Sequence, residues 1–350
     1  MKGGDRRDCE AAAARAASLL PRERLHPAVV AWADSRPRRE AWSVALSGGS
    51  DSVGLLVLLW AHWPRRRERL VALHFNHRLR GAESAADARF CARLCGALGI
   101  RLVRGAWKGR RSAAPEAEAR AARFAFFGEA MGASRSRVLW LGHQKDDIAE
   151  SMLMRLARGS GTGGLSAPRP LHELRGGRAR ARIHARPLLT LKRSEIAGAL
   201  RKAGVEWRED PSNASRANFR GRVRRSVIGP WARSSGRDAV SGAALSRELL
   251  EEDDAALEAW AGELGALGRD GSLALGPLSG RPRAVARRVL RRWLAAEPRA
   301  GELSRQAFEA LLAAALRGTP ARHSLGNHGF AVIRRGVLRF KLMRNPPTFH

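Results

Sequence analysis

Apolar and polar positions alternate along this chain in two different rhythms. In the first half, short apolar runs are separated by amphipathic stretches. Trp42 to Leu46, Leu70 to Phe75, Ile100 to Val103, Val138 to Leu141 and Ile183 to Leu188 predict buried strands. Between them, Ser52 to His62, Glu83 to Leu98, Glu116 to Met131, Asp146 to Arg158 and Ser194 to Ala203 predict helices. Phe90, Leu94 and Leu98 show the spacing, recurring every fourth residue on one helix face. Strict alternation of strand and helix predicts βαβ units. The expected fold is α/β, a parallel doubly wound sheet covered on both faces. In such sheets a ligand sits beyond the carboxyl ends of the strands.

After about Asn213 the rhythm becomes helical, over Val223 to Trp231, Ala243 to Leu264, Ala284 to Leu294 and Leu303 to Leu316. The Gly- and Pro-rich "GRDGSLALGPLSGRPR" reads as loop. "GFAVIRR" and "GVLRFKL" predict a terminal hairpin. Two domains are expected: residues 1–215, and a smaller, mostly helical one over 216–350 with short C-terminal strands.

Composition adds three constraints. At 350 residues and 44% hydrophobic, the chain can bury a sizeable core. No apolar run is long enough to span a bilayer, so no membrane partner is expected. The Ala-rich N-terminus holds Asp5, Asp8 and Glu10 and lacks a leader's apolar segment, which points to a cytoplasmic protein. Cys9, Cys91 and Cys95 are too few for a disulfide framework or an all-thiolate zinc site. Cys91 and Cys95 read as small core residues.

Charge changes the picture more. Lys and Arg number 64 against 33 acids, a net +31. The basic residues cluster in acid-free runs: seven from Leu174 to Ser194, seven from Pro211 to Arg237, six from Arg281 to Arg292. Such runs release counterions on a polyanion, so nucleic acid is the expected partner. The bland reading is a compositional bias, and the absence of tyrosine beside ten tryptophans favours some bias. The length of the acid-free runs favours nucleic acid.

The stretch "SVALSGGSDSVGLLVLL" joins the first strand to its helix. Gly48 and Gly49 permit backbone angles and a close approach that side chains forbid. The helix start offers amides with no intrahelical partner and a partial positive charge, which suits phosphate. Ser47, Ser50 and Ser52 add hydroxyls. A serine N-cap on an ordinary turn accounts for one of these residues, not for the cluster. No Lys-Ser or Lys-Thr follows, which excludes a Walker loop. Gly159 to Gly164 fits the spacing of a dinucleotide motif, but it follows a helix and no acid lies about twenty residues on.

Ser-Gly-Gly-x-Asp-Ser in this setting resembles the PP-loop of the ATP pyrophosphatase superfamily. Four further stretches resemble the tRNA(Ile)-lysidine synthetase family over roughly residues 40 to 230. The first is "HFNHRLRGAES", with His74, His77 and Arg80; Asn76 stands where a second His is common. The second is "PEAEARAARFAFF", with Glu116, Arg120 and Arg123; Phe124 replaces a Tyr. The third, "LGHQKDDIAESMLMRLARGSGTGGLSA", is the nearest match. His143, Asp146, Asp147, Glu150, Arg155, Arg158, Gly159 and Gly161 fall in register there, and Gln144 replaces a His. The fourth pairs "RPLLTLKRSEI" with "VEWREDPSNASRANFRGRVR". It carries Arg186, Pro187, Asp210, Asn213 and Arg220, and Gly221 replaces an Asn.

Spacing alone puts His143, Asp146 or Asp147, and Glu150 on one helix face. Acids early in a helix also complement its dipole, which explains the two Asp but not the whole face. The resemblance implies that ATP and Mg2+ bind, ATP on Ser47 to Ser52 with His74 and Arg120, the metal on Asp51. It implies two steps. The wobble cytidine of a CAU-anticodon tRNA(Ile) attacks the α-phosphate and pyrophosphate leaves; free lysine then displaces AMP. Asp51, His143, Asp146, Asp147 and Glu150 are the expected catalytic residues. The proton acceptor is open among the last four. His77, Arg80, Glu116, Arg123, Arg158, Arg186, Asp210, Asn213, Arg220 and Arg224 are the expected substrate contacts. Arg120 and Arg123 would hold phosphate or the activated base; surface salt bridging is the alternative for one of them. The second domain would recognise tRNA, with Arg287, Arg288, Arg291 and Arg292 as further phosphate contacts. Relatives also imply a homodimer. Two other readings stay open: another PP-loop tRNA-modifying enzyme, or a non-catalytic, ATP-dependent RNA-binding protein.

Overall fold

The computed structural model describes residues 6–77, 81–107, 116–174, 182–209, 219–297, 300–301, 303–326 and 329–343. It divides into two compact units, Met1–Leu249 and Leu250–His350. The division falls later than the boundary expected after residue 215.

The first unit opens with α1 (Arg6–Leu19) and α2 (Pro27–Ser35). The alternation then runs β1 (Trp42–Ala45), α3 (Ser50–His62), β2 (Leu70–Asn76), α4 (Ala82–Ala97), β3 (Arg101–Ala106), α5 (Glu116–Ala133), β4 (Val138–Trp140) and α6 (Lys145–Leu156). A short α7 (Thr162–Leu165), β5 (Leu171–Leu174), β6 (Arg182–Ala185) and α8 (Arg193–Ala203) follow. Strand order is β3-β2-β1-β4-β6-β5. All neighbouring pairs are parallel except β5 with β6. The expected α/β sheet is therefore present. Chain order reverses between β1 and β4, and a crevice opens at the carboxyl ends of strands there.

Burial on both faces explains the nearly continuous apolar strands. Trp42, Val44, Val138 and Trp140 are fully buried. The Trp42 and Trp140 rings meet at 4.6 Å, and the Arg66 guanidinium lies over Trp42. Gly54 lets α3 meet α8, since a Cβ there would sit 2.7 Å from Ile196.

Two strand expectations need correction. The run from Ile183 was expected to stay extended to Leu188. It stops at Ala185, and Pro187 to Thr190 form a 3₁₀ turn, because proline cannot donate to the ladder. The edge strand β5, with mostly exposed side chains, gave no apolar signal.

Beyond α8 come α9 (Phe219–Arg222), a π-helical segment over Val223–Ile228, α10 (Gly229–Ser235) and α11 (Ala239–Glu263). The division between units lies within α11. In the second unit, α12 (Arg283–Ala296) and α13 (Arg305–Arg317) accompany β7 (Leu273–Ala274), β8 (Ala321–Ser324), β9 (Gly329–Arg334) and β10 (Val337–Leu342). The expected hairpin is the inner pair of a four-stranded antiparallel sheet, ordered β7-β10-β9-β8. Its core includes Val285, Val289, Trp293, Leu311, Leu312, Ile333 and Leu338.

Candidate active site

The turn after β1 is built around one hydroxyl. Ser52 Oγ accepts the Ser47 and Gly48 amides at 3.1 and 3.2 Å and donates to the Gly49 carbonyl at 3.0 Å. Gly48 takes φ +99°, a left-handed conformation that favours glycine. Its carbonyl accepts the Arg208 amide at 2.8 Å, which ties the turn to the segment after α8. Ser47 and Ser52 are thus engaged with each other and with the turn. Ser50 and Asp51 begin α3, where first-turn amides have no intrahelical partner.

The facing turn, Leu141 to Gln144, leads from β4 into α6. Gln144 is the N-cap of α6: its side chain accepts the Asp146 amide, and Asp147 Oδ2 accepts the Gln144 amide at 3.1 Å. This reciprocal cap explains the Gln-x-x-Asp spacing. Gly142 lets the two turns touch. A Cβ on it would lie 2.9 Å from the Asp51 carbonyl oxygen.

Between the turns lies a cavity of about 500 Å³. Ser47, Asp51, Ser52, His74 and His77 line one side, and His143, Asp147, Arg120, Arg123 and Arg220 the rest. These residues, distant in the chain, lie around one cavity. Gly48, Gly49 and Ser50 complete the turn beside it. Asp146, Glu150, Arg186 and Arg224 stand behind the wall, in contact with residues of the site. Arg158 is exposed at the far end of α6 and does not line the cavity. Arg80, Asp210 and Asn213 lie outside the described residues, as does the side chain of Glu116.

The three acids of α6 have separate partners. Asp146 Oδ2 accepts the Arg193 amide at 2.9 Å, anchoring the start of α8. Glu150 is fully buried and is gripped by Arg224 through two bonds, 2.6 and 3.1 Å. Arg220 adds a contact to Glu150 at 3.6 Å. Asp147 lines the cavity, and burial, reinforced by the Glu150 charge, pushes its carboxyl up to about 6. Burial also raises Asp51, opposed chiefly by Arg193.

His143 and His74 are held toward the neutral form. Arg186 Nε donates to His143 Nδ1 at 3.2 Å. The neutral ring then carries its proton on Nε2. Burial and then Arg186, Arg220, Arg120 and Arg123 hold His143 well below its ordinary value. Arg186 is itself pushed down to about 10 by burial and Arg120. Burial likewise lowers His74, whose Nδ1 is 2.9 Å from the Leu46 carbonyl. His74 Nε2 has no hydrogen-bond partner among the described residues and is left as an acceptor in the cavity wall. On α5, the Arg120 and Arg123 guanidiniums lie 4.8 and 5.6 Å from the Phe124 ring, so the Phe in place of Tyr still provides a platform for both.

Sequence reasoning missed Arg193, Gly142 and the Asp87–Arg208 pair. Arg193 Nε lies 3.5 Å from Asp51, and Nη2 lies 3.8 Å from Asp147 and 3.7 Å from Glu150. Its place seven residues after Arg186 in "RPLLTLKR" was the available signal. Asp87 lines the cavity and pairs with Arg208 at 3.0 Å.

Comparison with known proteins adds descent to this geometry. Residues 24–230 match the PP-loop domain family. A tRNA(Ile)-lysidine synthase of Salinispora tropica is 36% identical over 301 residues, covering 83% of this chain and 87% of that protein. The chain belongs to the tRNA(Ile)-lysidine synthase family. A second member, from Geobacter sulfurreducens, is 35% identical over 277 residues. That match covers 76% of this chain, and the chain spans 56% of that relative's length. Among solved structures, the U34-tRNA thiolase NcsA from Methanococcus maripaludis aligns with TM-score 0.50 at 18% identity, over 69% of this chain and 78% of that one. At that identity the likeness concerns the fold alone. The Gly159–Gly164 segment also lies within the matched residues. It follows α6, and Arg155 donates to the Gly164 carbonyl within it.

Proposed function

We propose that this protein joins free lysine to the wobble cytidine of tRNA(Ile) bearing a CAU anticodon, consuming ATP and releasing AMP and pyrophosphate. One observation carries the reading: the anion-binding turn of α3, the neutral His143 and the raised carboxyl of Asp147 line one cavity at the strand-order reversal. Nucleotide phosphates would meet the first-turn amides of α3. His74 Nε2 is suited to accept from an amino group such as that of adenine. Arg120, Arg123 and Arg220 would surround the α-phosphate, where charge builds as pyrophosphate leaves.

Asp51 fits a divalent cation as a half-buried carboxylate beside the first-turn amides of α3. Among the described residues no group of three metal-ligating side chains exists. Asp51 would then be the protein's ligand to Mg2+, with phosphate oxygens completing the shell. The cation would offset charge on the leaving pyrophosphate.

In the first step the cytidine C2 oxygen bonds to the α-phosphorus and the bond to the β-phosphate oxygen breaks. In the second, the lysine ε-nitrogen bonds to C2 and the C2–O bond to AMP breaks. The ammonium must lose a proton before it can attack. Asp147 takes that proton in this reading. His143 Nδ1 is already occupied by Arg186, and Glu150 is held by arginines. Neutral His143 would donate from Nε2 to an oxygen of the reacting groups. Glu150 would add its negative field to the amine's subsite.

The assay is direct. Purified protein, ATP, Mg2+, labelled lysine and a CAU-anticodon tRNA(Ile) transcript should give label in RNA. Pyrophosphate release without label in RNA would reject lysine as co-substrate. A sulfur-transfer reading finds little support, because burial pushes the Cys91 and Cys95 thiols up to about 12. The homodimer and the cytoplasmic setting belong to the same proposal. Sedimentation at working concentration tests the first.

A further inference from the structure

Arg193 differs from Arg224 and Arg186 in how it is held. Arg224 grips Glu150 through two short bonds. Arg186 is buried and fixed to His143 and to the Arg169 carbonyl. The Arg193 guanidinium instead spreads over three carboxylates: Nε donates to Asp51 Oδ2 over a long 3.5 Å, and Nη2 lies 3.8 Å from Asp147 and 3.7 Å from Glu150. Its backbone is anchored by Asp146, yet its side chain is 28% exposed. Such an ion is held by one long bond and the summed field of three anions rather than by a short two-bond pair. It is also beside the PP-loop, through Asp51.

We propose that Arg193 is an exchangeable counter-ion that couples nucleotide binding to amine binding at the carboxylates of α3 and α6. This inference rests on the reaction proposed above. In the free protein Arg193 neutralises Asp51, Asp147 and Glu150 and occupies the field that an incoming cation needs. Phosphates on the PP-loop draw the guanidinium away, because a phosphate offers it bidentate bonds that the cluster does not. The carboxylates are then open to the lysine ammonium and to the divalent cation. Free lysine should therefore bind weakly alone and well after nucleotide, and by linkage lysine should tighten nucleotide equally.

Calorimetry on the full chain tests this, with the uncleavable α,β-methylene analogue of ATP. In wild type the analogue should tighten lysine binding roughly tenfold, within the usual range of coupling. R193Q should bind lysine more tightly than wild type without nucleotide, and its coupling factor should fall toward one. R193K keeps the charge and should keep the coupling. Without nucleotide, R193Q should also bind Mn2+ at least about threefold more tightly than wild type, since a competing cation has been removed. Unchanged coupling and unchanged Mn2+ affinity in a folded R193Q overturn the proposal. So does wild-type lysine binding that ignores the analogue, a result that needs no variant. If lysine binds in no state, the ligation reading fails, and the Mn2+ comparison still decides the role of Arg193.

Discussion

Asp147 and its neighbour Asp146 are chemically identical and adjacent, yet their surroundings give them different work. Asp146 faces the amide of Arg193, while Asp147 faces the cavity and is raised from 3.8 to about 6. A raised carboxyl favours the folded state when protonated. That contribution is full below the unfolded value and is lost as pH climbs through about 6. D147N should keep the cap to the Gln144 amide and lose the ionisation. We expect it to be inactive, yet more stable than wild type at about pH 8, by up to about 3 kcal/mol, with the gap closing toward about pH 4. Urea denaturation at both pH values measures this. Ligation by the wild type should fall as pH drops through about 6. The pairing of Asp147 with Glu150 was legible in "HQKDDIAE" from helix spacing, but His143, expected on the same helix face, precedes the N-cap Gln144 and sits in the turn. The role of Arg193 was not legible. It sits in an acid-free run read as a nucleic-acid surface, and its partner Asp51 lies 142 positions away.

At the scale of elements, what the sequence displays depends on burial. The central strands β1, β2 and β4 are covered on both faces and advertise themselves as apolar runs. β5, β7 and β8 are edge strands, short and partly exposed, and left no such pattern. The glycine-rich turn was readable as an anion site, but the need for Gly142 arises only where two turns from distant segments meet. G142A should force the Leu141 to Gln144 turn off the start of α3, because the atom it would strike is backbone. We expect a loss of about 1–3 kcal/mol in stability. Nucleotide affinity should fall as well, since both turns line the cavity. Thermal melting and nucleotide titration read the two effects separately. An unperturbed G142A would mean that the turns are free to part.

For the whole molecule, a net charge of +31 does not translate into a uniform phosphate-binding surface. α12 was expected to face phosphates. Four of its arginines answer acids within their own unit, and Arg291 lies over the Phe308 ring. Arg283 and Arg287 meet Glu309, Arg288 meets Asp254 and Glu258, and Arg292 meets Glu258. Asp254 is almost fully buried, so Arg288→Ala should cost roughly 3–5 kcal/mol of stability. It should leave the salt dependence of tRNA binding unchanged. Arg222, Arg225, Arg233 and Arg237 are exposed. Arg225→Ala should reduce the slope of log affinity against log salt by about 1. Filter binding over a salt series distinguishes the two arginine classes, and a slope lost in Arg288→Ala would reverse the assignment.

Strands β1 and β4 are hydrogen-bonded neighbours, paired from Trp42 with Val138 to Val44 with Trp140. The glycine-rich turn after β1 and the Leu141 to Gln144 turn after β4 therefore leave adjacent strands, about 4.8 Å apart. The spacing between the two turns is thereby inherited from peptide geometry. Changes at the outer strands β3 and β5 would leave the separation of those two turns untouched.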